Sequence, residues 1–142
     1  MRDEILSALR VICNRLGTSG WYVIGSASLA LQGLEFEPHD IDIKASSENL
    51  ARLVEPAEYC SSGHCVTEVE GVKVEIIEKD YPEDVWSPPN KGFEPDMVEL
   101  KEMRIPVYPL KECLRAYRAM GRQKDAEKIR KIEMALSGSA KL

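Results

Sequence analysis

The chain has 142 residues, 44% hydrophobic and 30% charged, with Gly and Pro at ordinary levels; that leaves room for one domain and excludes disordered, collagenous and disulfide-scaffold classes. Its 19 basic and 24 acidic side chains give a formal net charge of -5, so the molecule as a whole repels polyanions and a sequence-independent nucleic-acid coat is excluded, while a local basic face is not. No run approaches the roughly 20 apolar residues of a membrane helix, and Met1-Arg2-Asp3-Glu4 does not open a signal peptide, so a cytoplasmic protein is expected, with Cys13, Cys60, Cys65 and Cys113 as thiols.

From Asp3 to Leu16 the residues Ile5, Leu6, Leu9, Ile12, Cys13 and Leu16 recur at helical spacing, and Gly17 follows as a stop. Trp21 to Ile24 reads as a buried strand ending at Gly25. Ser26, as a capping residue, opens a short helix that closes at Gly33. After a linker from Leu34 to His39, Asp40-Ile41-Asp42-Ile43-Lys44 alternates as a strand, with both aspartates on one face and both isoleucines on the other. Ser46 or Ser47 caps a third helix through Val54, which Pro56 stops. Cys65 to Val69 and Val72 to Ile77 flank Glu70-Gly71 as a hairpin whose second arm sets Val72, Val74 and Ile76 against Lys73, Glu75 and Ile77.

From Asp80 to Pro109 six prolines predict a loop-rich crossing with one edge strand near Met97 to Leu100. Leu110, Cys113, Leu114 and Tyr117 then outline a helix ending at Gly121, and Ala126, Ile129, Ile132 and Leu136 a final one, before a frayed tail from Ser137. The expected fold is α+β: a small mixed β-sheet flanked by helices, in one domain spanning residues 1–142, with a core over about 18–109 and C-terminal helices over about 110–136.

The informative segment is Gly25-Ser26, then thirteen residues, then Asp40-x-Asp42. Carboxylates at i and i+2 of a strand lie roughly 6.5 to 7 Å apart at Cα and point the same way. An isolated D-x-D is most simply a solvated strand edge, but Ile41 and Ile43 fix this strand's register and hold both aspartates on the opposite face. Such a pair suits hard divalent cations, which take carboxylate and phosphate oxygens. Glu75 presents a third carboxylate from a strand, with Glu78 and Asp80 as less rigid competitors. A Gly-Ser turn opening a helix exposes backbone N–H groups and a hydroxyl to an anion.

Val23-Ile24-Gly25-Ser26, the short helix ending Leu31-Gln32-Gly33, Asp40-Ile41-Asp42-Ile43 and the later Glu75 together resemble the nucleotidyltransferase superfamily related to polymerase beta, in its minimal stand-alone form. The resemblance implies a Mg2+-dependent transferase that moves a nucleoside monophosphate from a nucleoside triphosphate such as ATP to an acceptor hydroxyl, with pyrophosphate released. It places two Mg2+ ions on Asp40, Asp42 and Glu75 and the triphosphate on Gly25 and Ser26. The stretch Val107 to Glu112 followed by Arg122-Gln123-Lys124-Asp125 is similar to the C-terminal helices of abortive-infection relatives, which implies that Lys124 meets a phosphate. Phe36 and Pro38 stand where many of those relatives carry Arg and Thr.

The implied acceptor is an RNA end, a protein or a small molecule, and a helical partner protein or a homodimer would complete so small a cleft. The alternative from another class is a non-catalytic module of the same fold, an antitoxin or adaptor for a helical partner; the retention of all three carboxylates favours the enzyme. Cys60, His64 and Cys65 lack a fourth zinc ligand, and His64 and Cys65 alternate to opposite faces of their strand. His39 is read as a strand-entrance residue, Trp21 as a core anchor and Trp86 as a loop anchor. The charge is unevenly spread: residues 1–100 hold 8 basic and 19 acidic side chains, residues 101–142 hold 11 and 5.

Overall fold

A computed structural model describes residues 1–54, 60–61, 63–78, 84–87 and 93–140. The expected helix stop at Pro56 and the competitor carboxylate Asp80 lie outside the described residues. The expected amphipathic helix is α1 (Asp3–Leu16), and the aromatic strand is β1 (Trp21–Ile24). Next come α2 (Gly25–Leu31), β2 (Ile41–Ala45) and α3 (Ser47–Leu53), whose cap is Ser46 accepting from the Asn49 N–H. A short β3 (Cys60–Ser61) precedes the hairpin β4 (His64–Val69) and β5 (Val72–Glu78). Its turn residues Glu70 and Gly71 both take positive φ, 50° and 78°, the backbone hand that lets two strands close tightly without splaying.

Among its described residues the Pro-rich crossing holds two strands rather than one. β6 (Asp96–Leu100) is the expected edge strand, and β7 (Met103–Val107) pairs antiparallel with it and parallel with β1 at Val23 and Val107. Pro106 therefore sits inside a strand, opposite Met97, at a position that proline counting assigns to a loop. α4 (Leu110–Met120) ends at Gly121, whose φ of 61° is the left-handed cap expected there. A 3-10 turn (Gln123–Asp125) leads into α5 (Ala126–Ala140), which runs past the point where the tail was expected to fray. The architecture is the expected α+β fold, with a mixed seven-stranded sheet in the order β3-β4-β5-β2-β1-β7-β6 and helices on both faces.

Strand alternation divides the chain into two cores. Trp21, Val23, Ile41, Ile43, Val74 and Ile76 pack with Ile5, Leu9 and Ile12 of α1 on one face. On the other, Tyr22 and Ile24 meet Leu29 of α2, Cys113, Leu114 and Tyr117 of α4, Ile132 of α5 and Tyr108. Each fully buried Ile or Leu contributes about 1.5–3 kcal/mol. Both tryptophans act as expected: Trp21 is buried, and Trp86 packs edge-on against Tyr108 and Tyr117.

Lys44 breaks the apolar rule on the second face. Its side chain is fully buried, with Nζ 3.3 Å from Asp84 Oδ1 and 3.2 Å from Ser87 Oγ. Around that pair the 84–87 turn is tied down by the Trp86 N–H to Asp84 Oδ1 and by the Arg115 guanidinium to the Val85 and Ser87 carbonyls. A buried cation losing its partner is far costlier than an apolar substitute of similar shape. Asp84→Ala is thus expected to lower stability by about 2–3 kcal/mol in urea denaturation, and Lys44→Met added to it to recover most of that loss.

Candidate active site

β1 ends at Ile24, and the chain turns into α2 at Gly25. Ile24, not Ser26, occupies the cap position, and no side chain caps the helix; instead Ser28 Oγ donates to the Gly25 carbonyl at 2.7 Å. Two facts demand glycine here. Its φ is +68°, and a Cβ at this position would stand 3.1 Å from Asp42 Oδ2. The turn therefore leans directly on one of the expected carboxylates.

Sheet register completes the arrangement. Ile24 pairs with Asp42 across the antiparallel β1–β2 ladder, and Asp42 pairs with Glu75 across the parallel β2–β5 ladder. Adjacent strands lie about 4.8 Å apart, so Asp42 and Glu75 present their carboxylates side by side. Asp40 stands exposed just ahead of β2, whereas Asp42 is partly buried. Asp40, Asp42 and Ser26 line a cleft of about 280 Å3 together with Glu37, Pro38 and His39.

Three carboxylates so placed repel one another. Burial first, then the charges of Glu75 and Asp40, push Asp42 up from its ordinary 3.8 to about 6, while Lys73 and Lys128 pull it back. Glu75 moves the other way. Its Oε1 lies 2.8 Å from Lys73 Nζ and its Oε2 3.7 Å from His64 Nε2, and the Lys73 hydrogen bond holds it below the usual glutamate range. The neighbours thus titrate apart, with Glu75 ionising first and Asp42 bearing the repulsion.

Among the described residues, no three His, Cys, Asp or Glu side chains converge as a ready-made metal cage. The donor set still suits a hard divalent cation, which is held by one or two carboxylates plus substrate phosphates. The fit rests on carboxylates whose repulsion is only partly offset and on a glycine that leaves Asp42 Oδ2 open. The zinc alternative loses a ligand: Cys65 is disulfide-bonded, against the expectation of a thiol, while Cys13 and Cys113 are free. Cys65 is buried and His64 exposed, on opposite faces as their alternation required, and Cys65 pairs across the ladder with Cys60.

In the tail, Lys124 stands exposed on the 3-10 turn, and Lys128, one helical turn on, is the residue whose charge acts on Asp42. Sequence reasoning set Lys73 on the face of Glu75 without a role and counted Lys128 only within the basic C-terminal end. Lys73 was legible, since it lies two residues before Glu75 on an alternating strand and so shares its face. Lys128 was not, because its place depends on how α5 docks.

The fold and site have a solved counterpart. The chain superposes with a TM-score of 0.69 on the crystal structure of a "putative nucleotidyltransferase" from Thermotoga maritima, at 32% sequence identity, covering 92% of this chain and 93% of that one. The chain belongs to the nucleotidyltransferase family. No protein-family model and no curated protein matches the sequence. Because so little of this nucleotidyltransferase chain falls outside the superposition, the likeness takes in the C-terminal helices as well as the sheet. No helix among the described residues is long and apolar enough to cross a membrane.

The Asp42 shift makes a stability prediction. A carboxyl that holds its proton more tightly when folded weakens the fold as pH rises from about 4, and the loss is complete above about 6. With divalent cations chelated, Asp42→Asn is expected to melt about 3 °C above the parent at pH 7.5 and level with it below pH 4, by calorimetry.

Proposed function

We propose that the chain transfers a nucleoside monophosphate from a nucleoside triphosphate to an acceptor hydroxyl in a Mg2+-dependent reaction. The observation that carries this reading is the contact between the two halves of the motif: the Gly25 turn abuts Asp42 Oδ2, and Asp42 pairs in register with Glu75. The 32% identical relative supports the same class of chemistry.

Under this reading, Asp40 and Asp42 would hold two Mg2+ ions, with Glu75 joining from the neighbouring strand. Those ions would neutralise phosphate charge and lower the acceptor hydroxyl's pKa. Ser26 and the Gly25 turn orient the triphosphate along the cleft, where Asp40 and Asp42 face it. The acceptor oxygen attacks the α-phosphorus, a new P–O bond forms as the bond to the bridging oxygen breaks, and pyrophosphate leaves with the electron pair. Glu75, ionised beside Lys73, would be the carboxylate toward which the acceptor's proton leaves.

The acceptor is an RNA end, a protein or a small molecule, and one assay separates these. Cell extract is incubated with the chain, Mg2+ and each of the four α-labelled triphosphates, and the labelled class is then identified. Labelling is expected to need Mg2+ and to fall at least about 100-fold in Asp42→Asn and in Asp40→Asn, each still folded. Undiminished labelling by either variant would contradict the assignment.

A further inference from the structure

The cleft of about 280 Å3 that takes in Ser26, Asp40 and Asp42 is not polar throughout. Phe36 and Pro38 stand in the same wall, and Phe36 supplies its only benzene ring among the described residues. That ring is partly buried, packed at the edge of the core that holds Tyr22, Leu29 and Tyr108. A phenyl group beside two carboxylates does nothing for a cation or a phosphate. It presents a flat apolar surface to whatever the phosphate is attached to.

The ring is held in place from both ends of the chain. Its own N–H donates to the Leu34 carbonyl at 3.0 Å, which folds the linker back just ahead of it. Lys131 reaches across from α5, donating to the Glu35 carbonyl at 2.8 Å, with Nζ 4.4 Å from the centre of the Phe36 ring. On the other side of Phe36, Glu37 Oε1 lies 3.7 Å from the amino terminus. A surface fixed beforehand loses little conformational freedom when a flat ligand settles on it.

We propose that Phe36 seats the nucleobase of the nucleoside triphosphate, its ring stacking on the base while Ser26 and the aspartates face the phosphates. This rests on the nucleotidyl-transfer reading above and names the residue that meets the base. Of the parts of such a substrate only the base is a flat ring system, and the cleft has one matching side chain. Phe36 stands where many relatives carry Arg, so this surface belongs to the chain itself and is not carried over with the resemblance. Stacking reads the π face that every base has, so the seat adds affinity with little choice among bases.

The test is calorimetric titration in Mg2+ with two ligands: an ATP analogue whose α–β bridge cannot be cleaved, and tripolyphosphate, which has the phosphates and no base. Phe36→Leu keeps an apolar side chain beneath Lys131 and removes the ring. It is expected to bind the ATP analogue about tenfold more weakly and tripolyphosphate within about twofold of the parent, while Phe36→Tyr holds both within about threefold. Phe36→Met, apolar and more pliant, repeats the comparison should the leucine variant melt early. Ringless variants that keep their affinity for the ATP analogue, or that lose both ligands together, overturn the seat alone. A parent that binds neither ligand overturns the functional reading and the seat with it.

Discussion

The pairing of β2 with its two neighbours carries the arrangement, because a slip of one residue would turn Asp42 into the core and an isoleucine into the cleft. Ile41 and Ile43 are fully buried and hold that register from below. Their burial is worth several kcal/mol, enough to keep Asp42 beside Glu75 against the repulsion of like charges. Every later feature inherits this constraint: the approach of Gly25 to Asp42, the shared face with Lys73, and the cleft that opens at Ser26.

Placing carboxylates this way weakens the fold at neutral pH and makes the site receptive to positive charge. Asp42 and Glu75 answer differently although they are neighbours, since Lys73 is bound to one and the other is more deeply set. Such a divergence between adjacent titrating groups marks functional sites more often than structural ones. The same sheet face shows how the chain handles a charge it does not need to expose: Lys44, two residues on from Asp42, is buried outright against Asp84 and Ser87. The turn that supplies those partners also fixes Trp86 against Tyr117, so the packing under the tail helices is tied to the strand that bears Asp42.

Local pattern made much of this legible in the sequence. Alternation over Asp40 to Lys44 and Val72 to Ile77 set the faces correctly, and Gly17, Gly71 and Gly121 punctuate the chain where their positive φ requires. What escaped depended on distant partners. Lys44 is buried because Asp84, forty residues on, meets it, and β7 is a strand despite Pro106 because β1 and β6 flank it. Ser26 has the composition of a cap, but the glycine before it already begins the helix. Cys65 is disulfide-bonded, which neither the cysteine count nor the expected compartment indicated. Lys128 required the docking of α5, which a helical period does not specify.

We propose that Asp40, Asp42 and Glu75 form one cation and triphosphate site closed by the Gly25 turn. A crystal grown with Mn2+ and a non-hydrolysable triphosphate tests it most directly, since anomalous scattering locates the cation without reference to activity. A peak at the Asp40 and Asp42 carboxylates is expected, with the triphosphate lying along the Gly25-Ser26 turn. Cation and triphosphate ordered away from these carboxylates would contradict it.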